Sequence, residues 1–132
     1  MPQANLTDNL SGVETSADSV VIGLLLEDIP GGRTLDVTGV TQDVIKAGTV
    51  IVEDDASGDL KPLIITEGSY EALPGSHTYK GVLVSTILTK KPMASIMVRG
   101  RVNTEAAEQA QGLPAYPAGA VTALSLIRFT KD

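Results

Sequence analysis

The chain has 132 residues, a formal net charge of −6 and 42% hydrophobic residues, which suits one globular domain and argues against wholesale binding to nucleic acid or to an anionic membrane. It contains no Cys and no Trp, with one Phe and three Tyr, so disulfides are excluded and the core must be built from Val, Ile, Leu and Ala. Thirteen Gly and seven Pro favour many short strands and turns over long helices. The charge is unevenly distributed. Up to Leu60 there are 11 acidic and 2 basic residues, and from Lys61 onward 5 acidic and 8 basic, giving −9 and +3. Opposite fields in one chain suit head-to-tail contacts between subunits or docking on a charged scaffold, and they also serve plain solubility.

Residues 1–19 hold scattered apolar side chains among Asn, Thr, Asp, Ser and Gly, too few to bury much surface, and they read as a flexible arm preceding a single domain over residues 20–132. The start lacks a basic region followed by an apolar run, so a classical secretion signal is not expected, and no stretch is long enough for a membrane span. Asn5-Leu-Thr7 and Asn9-Leu-Ser11 match the glycosylation pattern, which without a signal reads as chance.

Val20 to Leu26 is apolar throughout and predicts a short strand buried on both faces, ended by Glu27-Asp28 and Ile29-Pro-Gly-Gly32. Thr34 to Thr38 alternates with Leu35 and Val37 inward, and Thr49 to Glu53 is a further strand. The acidic break from Glu53 to Asp59 gathers carboxylates around a glycine but lacks the alternating spacing and distal Glu of a calcium loop, so a solvated hairpin turn is expected. Leu60 to Thr66 predicts a strand with Pro62 at an edge.

Glu67 to Lys80 reads as a loop carrying the single histidine, His77, between Ser76 and Thr78. An imidazole beside a hydroxyl invites a hydrolase reading, but no oxyanion hole, orienting carboxylate or strand-turn-helix around a serine accompanies it. No catalytic, metal or cofactor residue is therefore assigned, and no enzyme is expected. Tyr70 and Tyr79 flank the loop, either anchoring it to the core or stacking on a sugar.

Gly81 to Val102 reads as two strands joined by a tight turn at Thr89 to Met93. In the second, Ile96, Val98 and Val102 point one way and Met97, Arg99 and Arg101 the other, while Gly100 leaves a gap that suits a bulge or the close approach of another backbone. Asn103 then caps a helix of about two turns, most firmly from Glu105 to Gln111, and Gly112 and Pro114 end it. Ala120, Val121, Leu124 and Ile127 follow at helical spacing after Pro117, and Ile127 to Thr130 alternates as a last strand.

The order of Lys46-Ala-Gly-Thr-Val50, Gly81-Val-Leu-Val84 and Val98-Arg-Gly-Arg-Val-Asn103 before a short Ala/Glu helix resembles the head decoration proteins of tailed phages, mainly over residues 46–107. The chain also looks like head fibre proteins of phages of gut bacteria. The resemblance implies a mostly β, barrel-like or sandwich-like domain with one or two short helices that assembles as a homotrimer on the outer capsid surface. It further implies a structural virion protein made in the host cytoplasm, with the major capsid protein as partner. Asn5, Leu6, Leu10 and Val13 would then form the capsid-binding arm, and Arg99, Arg101, Val121 and Leu124 are expected in the oligomer interface. A β-rich carbohydrate-binding or adhesive module, with host-surface glycans as partners, is the alternative.

Overall fold

A computed structural model describes residues 15–29 and 33–131. The protein is mostly β, as expected, with three short helices and several sheets among the described residues. Helix α1 (Asp18–Val21) leads into β1 (Ile22–Asp28). Short strands β2 (Arg33–Thr34) and β3 (Val44–Ile45) precede the hairpin of β4 (Val50–Asp54) and β5 (Leu60–Pro62). There follow β6 (Ile65–Thr66), β7 (Ser69–Tyr70), β8 (His77–Leu83), β9 (Ile87–Leu88), β10 (Met93–Ala94) and β11 (Ile96–Asn103). Helices α2 (Thr104–Gln109) and α3 (Ala118–Ala123) and strand β12 (Ile127–Thr130) complete the chain.

The main sheet runs β1-β11-β8-β4-β5, with β12 alongside β11 in parallel. Its central strands are buried on both faces because alternate side chains enter different clusters. Val82, Met97 and Val102 pack with Val21, Ala107, Leu124 and Ile127 from the helical side. Their sequence neighbours Leu83 and Ile96 join Ile51, Leu35, Ile45 and Ala94 on the other, where the ribbons β2-β10 and β3-β9 lie across the sheet in a sandwich-like layer. Val50, Val52, Leu63 and Ala120 extend the core beneath α3.

Two glycines allow the strands to approach this closely. A Cβ on Gly81 would lie 2.2 Å from the Met97 carbonyl oxygen, and one on Gly100 (φ +155°) would lie 2.2 Å from that of Leu24. The close approach expected at Gly100 is therefore present, and it is β1 that approaches. Asn103 caps α2 as expected, its Oδ1 accepting the Ala106 N–H at 3.0 Å.

Several elements differ from the sequence reading. The strands β8 and β11 are antiparallel neighbours, pairing Leu83 with Ile96 and Val82 with Met97, but no tight turn joins them. Residues 84–95 instead leave the sheet and pair with β3 and β2 through β9 and β10, because Ile87 and Ala94 find burial on that second layer. Met97 is fully buried with Ile96 rather than sharing an outer face with the arginines, since both faces of β11 are covered there. The run from Leu60 to Thr66 is split into β5 and β6, although Pro62 does occupy the edge strand of the main sheet. Residues 67–80, expected as a loop, contain β7 and the start of β8, which pairs with β4 from His77 onward. Asp18 and Ser19, assigned to the arm, belong to α1. The Asp18 carboxylate accepts hydrogen bonds from the Thr86 N–H (2.8 Å), the Thr86 hydroxyl (2.7 Å) and the Gln111 amide (2.9 Å).

Candidate interaction surface

The expected doubly buried strand from Val20 to Leu26 is the largest discrepancy between sequence and structure. Residues 18–21 form α1, and β1 lies at the edge of the main sheet, with its outer backbone edge paired to no described strand. Leu24, Leu25 and Leu26 are 47%, 42% and 55% exposed. Val20 beside them and Leu126 at the entrance to β12 are exposed as well. Consecutive exposed leucines arise because β1 does not alternate regularly. Its pairing with β11 shifts register between Ile22 and Leu24, again between Leu25 and Glu27, and between Glu27 and Asp28.

The same irregularity arranges the arginines. Leu24 pairs with Arg101, which in turn pairs with Arg128, so a leucine and two arginines form one row across β1, β11 and β12. The Arg101 side chain lies over Gly23, where a Cβ would come within 3.1 Å of its Nε. That Nε is buried and has no hydrogen-bond partner among the described residues. Like charges directly opposite each other in a sheet repel, and among the described residues no carboxylate forms a salt bridge with Arg99, Arg101 or Arg128. Glu27 is the cross-strand neighbour of Arg99.

At the other end of the sheet the field has the opposite sign. Asp36, Glu53, Asp54, Asp55 and Asp59 surround the β4–β5 hairpin, with Lys61 3.9 Å from both Asp36 and Asp54, and Lys80 3.6 Å from Glu53. The turn is the hairpin expected from the acidic break, with the Asp54 carboxylate accepting the Ala56 N–H at 2.9 Å. Hydrogen bonds from the Thr38 hydroxyl and N–H hold the Asp36 carboxyl below its ordinary value, and the Ala56 N–H does the same for Asp54.

Of the residues expected at an interface, Arg99 and Val121 are exposed and Arg101 is half-buried. Leu124 is 7% exposed and packs in the core with Ala107 and Ile127, because the end of α3 turns it inward, so it is not available to a second copy. The arm residues Asn5, Leu6, Leu10 and Val13 lie outside the described residues. The β1 leucines were missed as a surface, since an all-apolar run signals burial without saying by what.

His77 opens β8 with Nδ1 2.8 Å from the Gly75 carbonyl oxygen and Nε2 4.0 Å from Asp54. The neighbouring Thr78 hydroxyl donates to Asp55 rather than to the ring. The aromatics face inward. Tyr70 stacks on Tyr116 at 6.2 Å, Tyr116 meets Phe129 at 4.9 Å, and the Tyr116 hydroxyl donates to the Gly48 carbonyl at 2.6 Å. Tyr79 packs against two of the buried clusters. Burial raises the phenol pKa of both Tyr70 and Tyr116 far above its ordinary value.

An apolar groove of about 280 Å³ lies between Val44, Ile45, Leu63, Ile65 and Leu113, with Gln111 on its rim. Among the described residues no group of three or more His, Asp or Glu side chains is arranged to hold a metal, and no helix is long and apolar enough to cross a membrane. No protein-family model, curated protein or solved structure matches the chain.

Proposed function

We propose that this chain is a structural subunit of a bacteriophage head, a decoration or head fibre protein that binds the outer capsid surface as a homotrimer and stabilises it. The observation that carries the reading is β1, a strand with the composition of a core element that the single chain leaves exposed. Contiguous exposed aliphatic surface of this kind marks an interaction site. A core with few aromatics also gains from further burial against copies of the same chain. The resemblance over residues 46–107 supports the capsid setting, as does an acidic chain unsuited to holding DNA.

The inward packing of Tyr70, Tyr79, Tyr116 and Phe129 leaves the alternative, a sugar-binding module, without the exposed aromatic platform that such modules use.

The mass of the purified protein in solution tests the assembly, and co-sedimentation with heads assembled without this chain tests the attachment. A trimer that co-sediments supports the reading, and a stable monomer that does not bind heads overturns it. The contribution of the arm is tested by removing residues 1–14. The cut stops there because Asp18 is bonded to Thr86 and Gln111. The shortened chain is expected to form trimers and to bind heads many-fold more weakly, since three linked arms act together. Unchanged binding would move the anchor to the folded body.

A further inference from the structure

We infer that the copies meet head to tail, the leucine-and-arginine face of β1, β11 and β12 in one subunit docking on the acidic β4–β5 edge of the next. This deepens the trimer reading above and rests on it. On the first surface, the exposed Leu24 lies in one row with Arg101 and Arg128, and Arg99 lies opposite Glu27, so three arginines stand against that one carboxylate. Arg101 and Arg128 are cross-strand neighbours, a repulsive pairing unless a carboxylate from elsewhere lies against them. The buried Arg101 Nε has no acceptor among the described residues. On the second surface, five carboxylates, Asp36, Glu53, Asp54, Asp55 and Asp59, outnumber the cations Lys61, Lys80 and Arg33, the last donating to the Gly58 carbonyl at 3.3 Å.

Geometry then selects the arrangement. The strand order β1-β11-β8-β4-β5 puts the two surfaces at opposite ends of one sheet, so a subunit cannot neutralise its own arginines with its own hairpin. A two-fold contact that brought the arginine face against itself would oppose arginine to arginine, and like-charge juxtaposition across an interface is strongly unfavourable. A head-to-tail contact pairs opposite charges at every junction and closes into a ring when its rotation permits. A ring of three has three identical junctions and leaves neither face free.

The test uses two exposed charge swaps in the full chain. Arg99→Glu with Arg128→Glu reverses the first surface, and Asp55→Lys with Asp59→Lys reverses the second. Each double variant alone is expected to dissociate at concentrations at least about tenfold higher than the unaltered trimer does. Mixed in equal amounts, the two variants are complementary at every junction between unlike chains and repulsive only between like chains, so heterodimers and larger mixed species that neither variant forms alone are expected. The chain carrying all four changes is complementary to itself again and should recover trimers, which separates a broken junction from a broken fold. Double variants that stay as trimeric as the unaltered protein would overturn the head-to-tail docking and leave the trimer standing. A quadruple variant that stays monomeric, or a mixture that gives no heterodimer, also overturns the docking. A monomeric unaltered protein would overturn both readings.

Discussion

Strands β1 and β11 are adjacent and paired, and both are rich in apolar residues, yet their surroundings differ completely. Along β11, Ile96, Met97 and Val102 are fully buried, because β8 and then β12 lie on one side, β1 lies on the other, and both faces are covered. Along β1, three consecutive leucines are exposed, because nothing described lies beyond its outer edge. Hydrophobicity places a residue in a strand, but burial is a property of the neighbours. Where the chain supplies too few of them, the remainder is a surface for another molecule.

The sharpest way to break the contrast is to push β11 away from its neighbours, from β1 at Gly100 and from β8 at Gly81. Gly100→Ala introduces a Cβ 2.2 Å from the Leu24 carbonyl oxygen and 2.5 Å from the Met97 Sδ, and Gly81→Ala introduces one 2.2 Å from the Met97 carbonyl oxygen. Both contacts involve backbone atoms that cannot rotate away. Each variant is expected to lose about 3 kcal/mol or more of stability, or to fail to fold, in urea unfolding. A loss below 1 kcal/mol would show that the strands can separate at little cost.

Next in size is the comparison of side-chain deletions on the two strands. Ile96→Ala is expected to cost about 2–5 kcal/mol in unfolding, since it leaves a cavity between Ile51, Leu83 and the second layer. Leu26→Ser on β1 is expected to change monomer stability by no more than about 0.5 kcal/mol while weakening self-association measured by light scattering. If Leu26→Ser unfolded the chain and left assembly unchanged, β1 would be a core strand after all.

A smaller effect is expected at the end of β11, where Asn103→Ala removes the bond to the Ala106 N–H that starts α2. About 1 kcal/mol should be lost in thermal or urea unfolding, and Asn103→Asp should restore most of it.

The smallest effect concerns the far end of the sheet. The folded state lowers the Asp36 carboxyl below 3.8, chiefly through hydrogen bonds from Thr38, so its contribution to stability is present above that value. The contribution disappears as the pH falls through the lowered folded value, because the unfolded chain then binds more protons. Asp36→Asn should therefore flatten the stability profile slightly below about pH 4 and leave the β1 end unaffected. An unchanged acid profile would show that the Thr38 bonds do not bias the carboxylate.

Much of the fold was legible where the determinants are local. Asn103 followed by Glu105 and alanines starts a helix whatever surrounds it, because the cap and the first-turn charge act within four residues. The Asp54–Asp59 turn, the edge position of Pro62 and the gap at Gly100 could likewise be read from backbone chemistry. What failed was non-local. Residues 84–95 carry residues that suit a turn, and only the second layer around Leu35 and Ile45 gives Ile87 and Ala94 a reason to leave the sheet. Leu124 and Val121 share a helical pattern, but the packing of α3 on the sheet sends one inward and the other outward.

The candidate surface divides in the same way. Its ingredients, an apolar run near the start and a −9/+3 division of charge, stand in the sequence. The sequence by itself determined a small aliphatic β-rich domain, its acidic hairpin turn, the Asn103 cap and its charge asymmetry, because these depend on composition and on interactions a few residues long. The tertiary structure decided that the apolar run would be an edge, that Arg101 and Arg128 would lie side by side, and that the carboxylates would gather at the opposite end of the sheet. Strand order and register bring together residues far apart in the chain, and no local pattern encodes which strand is last.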